Sequence, residues 1–152
     1  MLASDLLDTA ALTGNIHELH NALEMPGAKD GIRTALRSAC HLGYAECVEA
    51  LIAAGARASF GDVFCASVEG HAAVVAALLD SSAALVKDPV TLPSCLDSAV
   101  RNGNKDVVEV LLRRGAVVEK ECVALAMASG HTDIATVLTG ARRQFDAGAS
   151  SI

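Results

Sequence analysis

The chain has 152 residues, of which 52% are hydrophobic but only 3% aromatic, and a formal net charge of -6 at pH 7. The high apolar content excludes a disordered acidic protein, and the scarcity of aromatic residues favours thin, closely stacked helices over a β-sandwich or barrel. The acidic balance argues against binding to nucleic acid or to an anionic membrane, because both require a basic face.

The N-terminus and the cysteines indicate a reducing compartment. The first apolar run lacks a basic start and is broken by Asp5 and Asp8, so we do not expect a signal peptide. No stretch reaches the length of a transmembrane segment. An odd number of widely spaced cysteines is not typical of a disulfide scaffold; these are Cys40, Cys47, Cys65, Cys95 and Cys122. We therefore expect an intracellular protein, cytoplasmic and possibly also nuclear, with free thiols.

The first predicted element introduces a spacing, alanine followed four residues later by glycine, that recurs along the chain. The pairs are Ala10 and Gly14, Ala39 and Gly43, Ala66 and Gly70, Ala99 and Gly103, and Ala126 and Gly130. A second segment with helical apolar spacing follows each glycine, as in Val107-Val108-x2-Leu111-Leu112. The pattern predicts five helix-turn-helix copies, at approximately 5–28, 34–56, 61–83, 94–116 and 121–139.

Each copy has a physical explanation. Small alanines on the first helix let a neighbouring helix approach, and the glycine can adopt the left-handed conformation that ends a helix. The second helix begins with acidic residues such as Glu46, Asp106 and Asp133, which interact favourably with the positive end of the helix dipole.

The strings Ala126 to Ile134 (Ala-x3-Gly-His-x-Asp-Ile) and Gly103 to Ala116 resemble the ankyrin repeat, and the resemblance extends over roughly Asp5 to Thr139. It implies an all-α solenoid of stacked helix pairs. Of the family's Thr-Pro-Leu-His-x-Ala opening, the apolar and Ala positions are the ones that recur in the copies, as in Thr34-Ala35-Leu36-Arg37-Ser38-Ala39. Most connections between copies are too short for the β-hairpin finger of the family; only residues 84–93 are long enough, and they contain two prolines.

The resemblance also implies a partner protein bound on the concave side of the solenoid, at the exposed positions just before each glycine. These are Leu12, Thr13, His41, Leu42, Val68, Glu69, Arg101, Asn102, Ala128 and Ser129. Their mixture of apolar, polar and charged side chains suits a protein interface, although exposed helix positions need have no binding role. Phe60 either anchors the partner or fills the gap left by a missing finger.

Other chemistries find less support in the sequence. His17 and His20 are three residues apart on one predicted helix beside Glu18, but no third metal ligand is placed near them. Cys40 and Cys47 fall at positions where the repeat has buried Ala and Val. Because no phosphate-binding loop or catalytic serine motif is present, we expect no enzyme activity and no cofactor or metal. A cysteine- or metal-dependent enzyme remains the least favoured alternative.

The two ends carry separate expectations. Polar residues predict wettable outer faces at both ends. They are Asp8, His17, Glu18, His20 and Asn21 at the first copy and Thr132, Thr136 and Thr139 at the last. We expect a monomer, with a self-associating structural solenoid as the alternative function. Residues 140–152 lose the periodicity and predict a flexible tail. Its last residues, Ser150-Ser151-Ile152, either match a C-terminal motif that PDZ-type domains bind or form a frayed end.

Overall fold

The computed structural model describes residues 1–150, with side chains through Gly148, and within them the chain is helical with no β-strand. The first helices of the five pairs are α1 (Ala3–Thr13), α3 (Ile32–Leu42), α5 (Phe60–Glu69), α8 (Thr91–Asn102) and α10 (Lys120–Ala128). The second helices are α2 (Ile16–Leu23), α4 (Ala45–Ala53), α6 (Ala72–Ser81), α9 (Lys105–Arg113) and α11 (Thr132–Ser150). A 3-10 turn (Ala28–Asp30) follows α2, and a short helix, α7 (Ala83–Lys87), follows α6.

The helices pack in two rows. Each first helix contacts the first helix of the next pair, each second helix contacts the next second helix, and the members of a pair contact each other. Because the main contacts within residues 1–150 join neighbouring pairs, the chain forms a helical solenoid. The predicted all-helical repeat architecture is confirmed.

The core is a continuous layer of small and aliphatic side chains between the rows. The alanine of each Ala-x3-Gly spacing is fully buried in all five copies. Three residues earlier stands a large aliphatic side chain, fully buried as Leu7, Leu36, Val63 and Leu96. Cys40 and Cys47 are also buried, as the sequence predicts. A methyl group at the alanine position lets the helices approach, while the aliphatic residue supplies most of the buried area.

Glycine ends every first helix in the left-handed conformation, as predicted, with φ between 71° and 87° at Gly14, Gly43, Gly70, Gly103 and Gly130. At Gly43 this requirement has a second cause. A Cβ atom there would lie 2.5 Å from Nδ1 of His71, so a side chain would clash with the next repeat as well as strain the backbone.

The connection at 84–93, which is long enough for a finger, contains helical structure instead. It consists of α7 and a short link in which the Asp88 carboxylate accepts hydrogen bonds from the Thr91 N–H (2.9 Å) and hydroxyl (2.6 Å). These bonds hold the pKa of Asp88 below its ordinary value and start α8. Pro93 lies in the first turn of α8, where helical N–H groups have no intrahelical partner.

The last helix, α11, has 19 residues and is longer than the other second helices. It continues to Ser150, so the predicted boundary between domain and tail at residue 139 falls inside it. Ser151 and Ile152, the last two residues of the candidate C-terminal motif, lie outside the described residues.

Truncation of a core leucine should show how much of the stability depends on this layer. We expect Leu36→Ala to lower the free energy of unfolding by about 2–5 kcal/mol, because it removes buried methyl groups and leaves a cavity. Leu42→Ala, on the same helix at a side chain that is 40% exposed, should cost under about 1 kcal/mol. Urea unfolding of both variants makes the comparison, and equal losses would contradict the layered core.

Candidate functional site

The ten predicted partner-binding positions lie in the last turn of the five first helices or directly after it. We call them the pre-glycine row: Leu12, Thr13, His41, Leu42, Val68, Glu69, Arg101, Asn102, Ala128 and Ser129. Because the first helices stack side by side, these pairs follow one another across the five repeats. All are exposed except Val68, which is half-buried.

Arg101, His41 and Glu69 of the pre-glycine row each have a polar or charged neighbour. The Arg101 Nε atom donates a hydrogen bond to Oδ2 of Asp97 at 3.0 Å, one helical turn earlier. His41 Nδ1 lies 3.9 Å from Oε1 of Glu69 on the next first helix and 3.4 Å from Sγ of Cys65. The row therefore has no strong charge of either sign, and it exposes the apolar side chains of Leu12 and Leu42 among polar groups.

Two phenylalanines stand on the middle first helix, α5. Phe60 is its first residue and Phe64 lies one turn later; their ring centroids are 5.6 Å apart, and the residues are 39% and 37% exposed. Only Phe60 was selected from the sequence. Two features of the sequence could have identified Phe64 as a surface residue. It lies four residues after Phe60, on the same side of the helix. It also lies two residues before Ala66, at a position where the neighbouring repeats have the charged residues Arg37 and Asp97.

A buried carboxylate, Asp62, fixes the start of α5, the helix that carries these rings. Asp62 is only 3% exposed, and its Oδ2 accepts hydrogen bonds from the Ser59 N–H (2.9 Å) and hydroxyl (2.8 Å). Arg33 of α3 binds both oxygens of Asp62, at 2.7 and 3.2 Å, and donates to the Ser59 hydroxyl at 3.1 Å. This network ties α5 to α3, so Phe60 is presented from a rigid helix end.

The residue after each glycine links neighbouring repeats. Tyr44, His71, Asn104 and His131 lie against the glycine of the preceding repeat, that is, against Gly14, Gly43, Gly70 and Gly103. We call these four side chains the post-glycine clamps. A Cβ atom on any of the four glycines would lie within 3.0 Å of the clamp above it.

Three of the clamps also bind carbonyl oxygens of the preceding first helix. Asn104 Nδ2 donates to the carbonyls of Ser67 (2.8 Å) and Val68 (2.9 Å). The Nε2 atoms of His71 and His131 lie 2.9 and 3.3 Å from the carbonyls of His41 and Arg101. These acceptors lie at or beside the pre-glycine row, so the clamps fix the spacing of the row. The sequence did not reveal a role for His71 and His131. They follow the glycine in the third and fifth copies, whereas the other three copies have a different residue there.

The histidines proposed as metal ligands do not meet further ligands. His17 and His20 are both exposed on α2, and no group of three or more His, Cys, Asp or Glu side chains in the described residues could hold a metal ion. Within residues 1–150, no helix is both long enough and apolar enough to cross a membrane.

The five cysteines are free thiols, and their surroundings disfavour the thiolate. Burial raises the pKa of Cys40 to about 12 and that of Cys95 to about 11. Desolvation also raises the pKa values of Cys47, Cys65 and Cys122. Because the thiolate is the nucleophile, these environments suppress cysteine chemistry at neutral pH instead of promoting it.

Removal of a clamp should weaken the stack locally. We expect Asn104→Ala to lower the free energy of unfolding by about 1–3 kcal/mol, because two partly buried carbonyls lose their hydrogen-bond donor. The matched control is Asn21→Ala at an exposed position of α2, which should change stability by under about 0.5 kcal/mol. Urea unfolding measures both variants, and similar small effects would show that the clamp contributes little.

Alkylation should distinguish the buried thiols from an activated one. At neutral pH we expect Cys40 and Cys95 of the native protein to resist alkylation, because both are buried and their raised pKa values leave little thiolate. In denaturant all five cysteines should react, as mass spectrometry of peptides can measure. A thiol that reacts faster in the native protein than in the unfolded chain would reveal an activated nucleophile.

Comparison with known proteins was consistent with the repeat architecture. Residues 33–62 and 94–121 match the family model of the ankyrin repeat. A search of curated proteins found no match. The matched segments contain the helix pairs α3 with α4 and α8 with α9, and the helix pairs between and beside them have the same architecture. The two matched segments and the stacked helix pairs are consistent with an ankyrin-repeat protein.

Proposed function

We propose that this chain binds a partner protein on the concave face of its solenoid, through the pre-glycine row together with Phe60 and Phe64. Ankyrin repeats are generally protein–protein interaction modules. The observation that carries the proposal is the exposed phenylalanine pair on the middle first helix, with Arg37 and Asp97 at the corresponding positions of the neighbouring first helices.

The phenylalanine pair has the character of a binding anchor. Large rigid side chains near the centre of an interface dominate binding energies, because they bury much apolar area and lose little conformational entropy. Phe60 and Phe64 are already packed against each other, and the bonds of Arg33 and Ser59 to Asp62 hold the helix that carries them. Little reorganisation would therefore oppose docking.

The surroundings of the pair would supply specificity. Arg37 is exposed at the corresponding position of α3, while the ion pair of Asp97 and Arg101 occupies α8 on the other side. Polar groups around an apolar centre form the rim of a typical protein interface. A partner would place an apolar segment over the rings and polar groups on both sides.

In this proposal the chain acts as an adaptor, scaffold or targeting subunit inside the cell. Free, desolvated thiols support a reducing compartment and give no support to cysteine catalysis. The ankyrin family is typically non-enzymatic, which supports a role in binding.

Affinity capture with matched charge substitutions tests the proposal. We expect Phe64→Glu to abolish the capture of specific proteins from a cell lysate, because a carboxylate would have to be desolvated at the centre of the interface. The double variant Leu42→Glu, Val68→Lys should have the same effect within the pre-glycine row. Both should keep the helicity of the unmodified protein.

The control is Phe145→Glu, which introduces the same change at an exposed phenylalanine of α11, outside the first helices. This variant should retain the proteins that the unmodified chain captures. If Phe64→Glu and Phe145→Glu behave alike, the concave face is not the binding surface.

A further inference from the structure

The C-terminal end of the stack differs from a polar capping surface. We call it the C-terminal face: Val123, Met127 and Gly130 of the fifth repeat, with the adjoining side of α11. A groove of about 580 Å³ runs along it, lined by Val123, Met127, Thr132, Ala135, Thr136, Thr139, Gly140 and Arg143. The threonines make the α11 side polar, as the sequence predicts, whereas the α10 side of the groove is apolar.

Val123 and Met127 occupy positions that are interior in the other repeats. The counterparts of Val123 are Leu7, Leu36, Val63 and Leu96, all fully buried. The counterparts of Met127 are Ala11, Cys40, Ser67 and Val100, none more than 1% exposed. Met127 itself is 59% exposed. A terminal repeat normally has polar residues at such positions, because no further repeat covers them.

Gly130 provides an unfilled clamp site at the same end. It ends the turn after α10 with φ +79, like the other four helix-ending glycines. At each of those four glycines, a clamp atom lies within 3.0 Å of where a Cβ atom would be. At Gly130, no atom in the described part of the chain lies within 4 Å of that position. The C-terminal face thus has both the apolar contacts and the clamp site of an internal repeat junction.

The first repeat carries the complementary half of such a junction. Asn15 follows Gly14 and corresponds to the clamps, and in particular to the clamp Asn104. Its Oδ1 accepts a hydrogen bond from the Glu18 N–H at 3.2 Å, and its Nδ2 has no hydrogen-bond acceptor within the described residues. Asn15 can therefore keep its cap on α2 and still donate through Nδ2 to another chain.

Thr9 shows which side of the first repeat would meet another copy. Its counterpart Ser38 donates to Oδ1 of Asp8 in the preceding repeat at 3.2 Å, and its counterpart Cys65 lies 3.4 Å from His41 of the preceding repeat. Thr9 is exposed, since no repeat precedes it in the structure. Small polar residues thus occur at this position in internal junctions as well.

The charge of the groove is also complementary to the first repeat. Residues 1–24 contain Asp5, Asp8, Glu18 and Glu24 but no lysine or arginine. The fifth repeat carries acids as well as bases, but the one charged side chain that lines the groove within the described residues is Arg143. An acidic first repeat and a basic side chain in the groove favour an association of unlike faces.

We propose that the protein self-associates head to tail, with the first repeat of a second copy stacked on the C-terminal face. Asn15 of the second copy lies over Gly130, as Asn104 lies over Gly70, while Val123 and Met127 are covered. A symmetric contact between two C-terminal faces would leave both Gly130 sites unfilled. Because the two faces differ, the contact is heterologous; stacking in the register of the internal repeats extends the solenoid, and longer assemblies form as concentration rises.

Variants blocked at one end test this arrangement. The weight-average mass of the unmodified protein in sedimentation or light scattering should rise continuously with concentration. Met127→Glu blocks the C-terminal face and Thr9→Arg blocks the first repeat; each should weaken self-association roughly tenfold or more, since an unpaired charge is placed in the contact. Both substitutions are at exposed side chains, and circular dichroism should show unchanged helicity.

Mixing the two variants gives the sharpest result. Each retains one intact face, so an equimolar mixture should form a one-to-one dimer and nothing larger, although each variant alone stays monomeric. A monomer mass for the unmodified protein at all concentrations overturns the proposal. So does a closed dimer that Met127→Glu abolishes and Thr9→Arg leaves intact, because that is a symmetric contact.

A final variant separates this proposal from partner binding on the concave face. Phe64→Glu should leave the concentration dependence of the mass unchanged while it abolishes capture, and Met127→Glu should do the reverse. If Phe64→Glu prevents self-association, the contact between copies uses the α5 rings and the head-to-tail arrangement is wrong.

Discussion

The rest of the stack depends on one contact. In it, a post-glycine clamp lies against the helix-ending glycine of the preceding repeat. The glycine has no Cβ, so a ring or amide of the next repeat can lie against its backbone and bind the carbonyls of the same helix end. Glycine is therefore required at this position for two reasons: its backbone is left-handed, and the clamp of the next repeat approaches it closely. The distance between repeats follows from this contact, and the alanine and leucine layers fill the space that it leaves.

This arrangement explains why the exposed surface can vary while the scaffold persists. The clamps bind main-chain carbonyls, which every residue has, so the side chains of the pre-glycine row are free to differ. Two residues before the glycine, the row accordingly contains leucine, histidine, valine, arginine and alanine in the five copies. Aromatic residues are scarce in the chain, yet two of its three phenylalanines form the exposed pair on α5. A core of small residues needs no rings, which leaves them available for a surface role.

Local chemistry explains which features were predictable from the sequence. The glycine spacing and the helical apolar period depend on residues close in sequence, so helix pairs, helix ends and the buried cysteines could be predicted. The clamps, the bond from Arg33 to Asp62 and the exposure of Met127 depend on contacts between repeats, about 30 residues apart in sequence. Nothing in the sequence alone states which side of a helix a neighbour covers. For the same reason Phe64 was missed as a member of the surface, and residues 84–93 could not be recognised as a helical connection stabilised by Asp88.

The clamps all point in one direction, from each repeat back to the one before it. A chain that leaves the ribosome from its N-terminus therefore exposes each first-helix end with its carbonyls unbound until the following glycine and its neighbour emerge. The clamps thus bind each repeat through its successor, whereas Arg33 acts in the opposite sense and binds Ser59 and Asp62 of the repeat that follows it. A pause in synthesis after a second helix would leave the clamp site of that repeat open until the next helix pair emerges.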